Sequence, residues 1–221
     1  MSVFLALVAL FASLDWIAVA SNRRRLEAFA KPGTMVALFA WYLTAQRFSA
    51  SAGDWVFAIG LMLSLVGDVL LLPQINRVLP GLVAFFFALL AYLFAINQSG
   101  IIWSVGSVVL LLGVLLSSAG IALRLARSLR QAGRRRLVGP VAVYALVLGL
   151  MTWSALSRLT SETPPGSPGK LLALGGALFY VSDGLTAWSR FVAPFPGGRF
   201  ASHVTYHLAQ ALLTAGVSLS I

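Results

Sequence analysis

The sequence predicts an all-α protein, a polytopic membrane bundle of eight transmembrane helices. Two observations carry that expectation. The 221 residues are 59% hydrophobic and only 10% charged, with a mean hydropathy of +0.91, more apolar surface than a water-soluble domain of this length can cover. The apolar residues also fall in runs of about 20, enough to cross roughly 30 Å of hydrocarbon at about 1.5 Å per residue.

The runs are 2–20, 32–48, 54–72, 80–98, 100–123, 137–157, 170–189 and 200–220, read as one integral membrane domain. The first has no basic residues before it and is followed by Arg23-Arg24-Arg25. That is the reverse of a cleaved signal peptide's charge order, so the run is expected to be the first transmembrane helix. Lys31-Pro32-Gly33 reads as the turn opening the second run, which is short, bracketed by Lys31 and Arg47, and expected to snorkel at its ends. Leu79-Pro80-Gly81 separates the third run from the fourth. The basic stretch 124–136 reads as a solvated loop between the fifth and sixth, and Pro164-Pro165-Gly166-Ser167-Pro168 turns the chain into the seventh.

Charge sets an orientation. The odd-numbered loops hold thirteen Lys and Arg residues against three in the even-numbered loops (Arg47, Arg158 and Lys170), so both termini are expected on the non-cytoplasmic side. Trp41, Trp55, Trp103 and Trp153 then fall toward the outer interface, and Trp16 and Trp188 toward the inner one. A net charge of +10 confined to short loops is the pattern of membrane topology, not of nucleic-acid binding. Cysteine is absent, which excludes disulfides, thiolate metal sites and a cysteine nucleophile. Arginine outnumbers lysine 14 to 2, and a bacterial cytoplasmic membrane is the expected location.

Within this frame the polar residues stand out. Asp68 and Asp183 each lie inside an apolar run, where a carboxyl group costs several kcal/mol unless it meets a cavity or a partner. They share a V-[G/S]-D-x-L pattern, Val66-Gly67-Asp68-Val69-Leu70 and Val181-Ser182-Asp183-Gly184-Leu185. At about 1.5 Å per residue, Asp68 lies roughly 6 Å and Asp183 roughly 10 Å from the inner helix ends. Asp15, His203, Tyr206, His207 and Gln210 belong to the same inner layer, which reads as a site opening toward the cytoplasmic leaflet. The two aspartates lie in the third and seventh runs, and Pro32 and Pro140 begin the second and sixth, as a four-plus-four internal repeat would place them.

Longer motifs point to a family. Ser64-Leu65-Val66-Gly67-Asp68-Val69-Leu70-Leu71, preceded by Lys31-Pro32, resembles the S-x-x-G-D-x-x-L signature of the YhhN family of lysoplasmalogenases. Gly176-Ala177-Leu178-Phe179-Tyr180-Val181-Ser182-Asp183 resembles its G-A-x-x-F-x-x-S-D motif, and Tyr206-His207-Leu208-Ala209-Gln210 its closing Y-x-x-A-Q. The chain departs from the family in its fourth helix. Gly81, Phe85 and Tyr92 follow G-x-x-x-F-x-x-x-H-x-x-Y, but Leu89 stands at the histidine position.

The resemblance implies hydrolysis of the vinyl ether bond of a lysoplasmalogen, giving a fatty aldehyde and a glycerophospho-alcohol without a cofactor. The slow step of such hydrolysis is protonation of an alkene carbon, which requires an acid that keeps its proton near neutral pH. Two carboxyl groups in a dry pocket divide that labour, one as acid and one as base. Asp68 and Asp183 are the expected catalytic pair, and the sequence leaves open which is the acid. Lys31 is read as a holder of the lipid phosphate or as a snorkelling anchor. Gly67 and Ser182 leave room for close helix packing or substrate approach. Ser64, Ser182, Tyr206, His207 and Gln210 complete the expected substrate contacts.

Two other classes stay open. His203 and His207, four apart on one helix face, could hold zinc in a metal-dependent lipid hydrolase. Alternatively, the aspartates could relay protons in a small transporter or lipid flippase.

Overall fold

The computed structural model describes residues 2–45, 51–161 and 166–219. Arg47, Pro164 and Pro165 lie outside them. Among the described residues there are eight α-helices and no strand: α1 (Ser2–Ala20), α2 (Arg24–Ala45), α3 (Ala52–Leu71), α4 (Val78–Ile96), α5 (Val105–Gln131), α6 (Val138–Ser157), α7 (Ser167–Phe191) and α8 (Gly198–Leu219). Six are long and apolar enough to cross a membrane: α1, α3, α4, α5, α6 with its flanking 3-10 turns, and α7. α2 and α8 are 22 residues each. They are long enough, but less apolar. The polar Thr34 of α2 and Ser202, His207, Gln210 and Thr214 of α8 are buried, so their low hydropathy reflects inward-facing polar groups.

The helices form two compact units of four, dividing after Gln98. Each repeats one pattern, with the first helix packed on the second, the second on the third and the third on the fourth. Asp68 and Asp183 sit on the third helix of their respective units.

Three sequence expectations are corrected. The second helix starts at Arg24, so Lys31-Pro32-Gly33 is helix interior and not a turn. The stretch Arg24–Lys31 is rich in the strong helix formers Arg, Leu, Glu and Ala. Pro32 removes one backbone donor, and the packed environment tolerates that loss: Gly33 lies so close to Phe11 of α1 that an added Cβ would sit 2.8 Å from its ring. Pro80, by contrast, falls in the first turn of α4, where a missing N–H has no intrahelical acceptor.

The fifth helix starts later than expected, at Val105, where Ser104 caps it by accepting from Ser107 N. It then runs to Gln131, into the first half of the basic stretch expected to be a loop. Leu125 and Leu129 are buried while Arg124, Arg127 and Arg130 are exposed, so an amphipathic face carries the helix past its apolar part. Gly133 (φ 72°) stops it. Arg134 N donates to Leu129 O at 2.8 Å and Gly133 N to Arg130 O at 3.2 Å, the paired bonds that close a helix on a left-handed residue.

Candidate functional site

In the first unit, Phe57, Leu61, Ser64 and Asp68 form one buried stripe of α3, spaced as a helix face requires. Gly60 and Gly67 lie beside it and let α4 approach. A Cβ on Gly60 would meet the Tyr92 ring at 2.6 Å, and one on Gly67 the Phe85 ring at 2.5 Å. Gly67 therefore serves helix packing, the first of the two uses its sequence allowed. Tyr92 stacks on Phe57 with ring centroids 4.9 Å apart, and its hydroxyl lies 3.0 Å from Ser64 Oγ. Leu89, at the family's histidine position, is fully buried on the same helix as Tyr92.

Asp68 is 0% exposed, and Lys31 Nζ of α2 lies 2.9 Å from its Oδ1. With its side chain only 15% exposed, Lys31 is turned inward. Its amine thus meets a carboxyl group inside the unit. The physical reason is the cost of the buried carboxylate, which a helix-borne ammonium offsets where water cannot. Glu27, one turn before Lys31 on α2, is also buried. Sequence reasoning missed it because the stretch before Pro32 had read as a loop. Asp15 is fully buried too, on the α1 stripe of Val8, Ala12 and Val19.

In the second unit, Asp183 is half-buried on α7. The hydroxyl of Tyr144 on α6 donates to its Oδ2. No motif pointed to Tyr144; a lone tyrosine in an apolar run carries no signal by itself. Ser182, just before the aspartate, turns the other way, and its Oγ donates to Ser202 O of α8 at 3.0 Å. Its hydroxyl is thus committed to helix packing. Gly175 lets α8 approach, since a Cβ there would lie 2.9 Å from Leu213 N and 3.2 Å from Ala209 O. One turn before Asp183, the Tyr180 hydroxyl lies 2.8 Å from Ser117 Oγ and 3.0 Å from Ser118 Oγ of α5.

The polar residues of α8 line its buried side. Gln210 Nε2 donates to Tyr206 Oη at 3.2 Å, and Tyr206, His207 and Gln210 are all buried. The His203 and His207 rings are 6.4 Å apart. Among the described residues no three His, Asp or Glu side chains gather as a metal-ligand group, so the zinc reading gains no support from the geometry.

A mostly apolar helical chain with carboxylates buried inside its helix pairs defines a polytopic membrane protein with intramembrane acidic groups. The YhhN family model matches residues 26–217, and this chain belongs to the YhhN family. It is similar to the proteins named lysoplasmalogenase TMEM86B from three mammals. The Rattus norvegicus protein is 29% identical over 185 residues, 83% of this chain and 69% of that protein. The Homo sapiens protein is 34% identical over 154 residues, covering 70% of this chain and 59% of the relative's length. The Sus scrofa protein is 37% identical over 84 residues, 38% of this chain and 33% of the relative. No solved structure matches the chain.

Proposed function

We propose that this protein is an intramembrane hydrolase that cleaves the vinyl ether bond of lysoplasmalogens, releasing a fatty aldehyde and a glycerophospho-alcohol. Family membership and the names of its relatives support the substrate class. The observation that carries the chemistry is the pair of V-[G/S]-D-x-L aspartates, each engaged by a polar side chain from the helix before it.

The different partners suggest a division of roles. Asp68, beside the Lys31 ammonium, serves as the anion. Asp183, held by a neutral phenol, serves as the acid. It gives its proton to the alkene carbon, leaving an oxocarbenium ion at the ether-bearing carbon. Water adds there, and the hemiacetal collapses to aldehyde and alcohol as the proton released from water restores the acid. Lys31 acts in this reading as counter-ion to Asp68. Ser64 in the first unit and Tyr206, His207 and Gln210 in the second are assigned to substrate contacts, and Ser182 to holding α8.

The same reading takes all eight helices as membrane spans of one domain, with both termini on the non-cytoplasmic side of a bacterial cytoplasmic membrane. α2 and α8, at 22 residues each, reach roughly 33 Å at about 1.5 Å per residue. The test is incubation of purified protein with a panel of lysolipids and assay for released aldehyde. Aldehyde is expected from alkenyl lysolipids and none from acyl ones. Transport of lysolipid across vesicles without aldehyde formation would favour the proton-relay reading.

A further inference from the structure

We infer that Tyr144 is a positioning residue for Asp183, its phenol fixing the carboxyl group that delivers a proton to the substrate carbon. What is delivered rests on the proposed vinyl ether hydrolysis; the contact does not. The Tyr144 hydroxyl donates to Asp183 Oδ2 across the α6–α7 contact, and that contact has little freedom. Gly176 of α7 approaches Ala155 of α6 so closely that an added Cβ would sit 2.6 Å from it. On its other side α7 is tied to α8 by the Ser182 Oγ bond to Ser202 O and by the paired Thr186 and Ser202 hydroxyls. The backbone carrying Asp183 is therefore held from two sides, and side-chain bonds such as that of Tyr144 set the rotation of the carboxyl group.

That rotation matters for this chemistry. Protonating an alkene requires the acid O–H to lie along the π orbital, perpendicular to the plane of the double bond. A freely turning carboxyl group spends little time there. The Tyr144 bond pins Oδ2 and with it the plane of the group. It also strengthens as the proton leaves and negative charge grows on Asp183, because an O–H bond to an anion is roughly twice as strong as a neutral one. A phenol does this without adding a net charge, whereas Lys31 brings one to Asp68. The hydroxyl of Tyr180, one turn away on α7, does not share the role, since it is engaged with Ser117 and Ser118.

Tyr144→Phe removes the oxygen and nothing else. The Asp183 carboxyl band is identified in infrared spectra of purified protein by its loss in Asp183→Asn. It is expected to shift in Tyr144→Phe and to stay in place in Tyr180→Phe. Replacing Tyr144 with 3-fluorotyrosine, a stronger donor of the same shape, should move the band the opposite way. In turnover of an alkenyl lysolipid, kcat is expected to fall about 10- to 100-fold in Tyr144→Phe, the loss of one hydrogen bond to a charged group, with KM within about twofold. A band unmoved by Tyr144→Phe overturns the inference whatever the activity, and so does a shifted band with unchanged kcat. If the wild-type protein releases no aldehyde from any lysolipid, the vinyl ether reading falls. The band then still decides whether Tyr144 holds Asp183.

Discussion

Asp68 and Asp183 occupy the same place in two four-helix units, on the third helix and within the same short motif, yet their surroundings differ. In both, the residue just before the aspartate packs on the following helix, Gly67 on Phe85 of α4 and Ser182 on Ser202 of α8. In both, a glycine eight residues earlier lets that helix come close, Gly60 in one and Gly175 in the other. And in both the carboxyl group takes a partner from the preceding helix. Asp68 is fully buried and meets an ammonium, whereas Asp183 is half-buried and meets a phenol. The shared scaffold aims each carboxyl group, and the partners described differ in charge, an ammonium in one unit and a neutral phenol in the other. A duplicated frame with unlike partners is what a reaction needing one acid and one anion would use.

The largest expected effect tests whether both halves matter. Asp68→Asn and Asp183→Asn keep shape while removing the charge of one and the transferable proton of the other, and each should lower aldehyde release by about 10²–10⁴-fold, the usual worth of a positioned acid or electrostatic stabiliser. Full turnover by either variant would break the pairing and leave one aspartate as a structural group. Next in size, Lys31→Met leaves the buried Asp68 carboxylate uncompensated and should cost about 3–5 kcal/mol of stability, read as an earlier thermal transition in detergent. The corresponding loss at Asp183, from Tyr144→Phe, should be smaller, about 1–3 kcal/mol. If the two losses were equal, the contrast between the sites would disappear.

Of similar size is the effect of Gly175→Ala, where the added methyl group would meet the α8 backbone and not merely a side chain. Pushing α7 and α8 apart should cost about 1–3 kcal/mol, measured by the same transition. Gly184→Ala, one residue after Asp183, meets nothing within 4 Å. It should be neutral or raise stability by up to about 1 kcal/mol through helix propensity. A large loss at Gly184 would mean that this face of α7 is covered by something the units alone do not provide.

Much of this was legible in the chain itself. Helical class follows from composition, since backbone groups in hydrocarbon must be satisfied within each segment. Asp68 and Asp183 declare themselves because a carboxyl group in an apolar run is costly anywhere, so its presence needs no contact map to be conspicuous. Lys31 was visible as well, but its direction was not. Pro32 beside it suggested a turn, and only packing against α3 turned the amine inward. The basic stretch misled for a similar reason. Arg124, Arg127 and Arg130 read as solvated loop, whereas the burial of Leu125 and Leu129 shows that one face of the helix continues beneath them. Tyr144 could not be singled out at all, because its significance lies in the contact it makes with Asp183.

The amino-acid order by itself determined which residues are costly in lipid, and so where chemistry is to be sought. Hydrophobicity and helix propensity are properties of the residue and its near neighbours, and they survive without a fold. Which side chain meets each aspartate was decided only by tertiary structure. A hydrogen bond or ion pair acts over about 3 Å, and only the packing of one helix on the next brings residues far apart in the chain within that range.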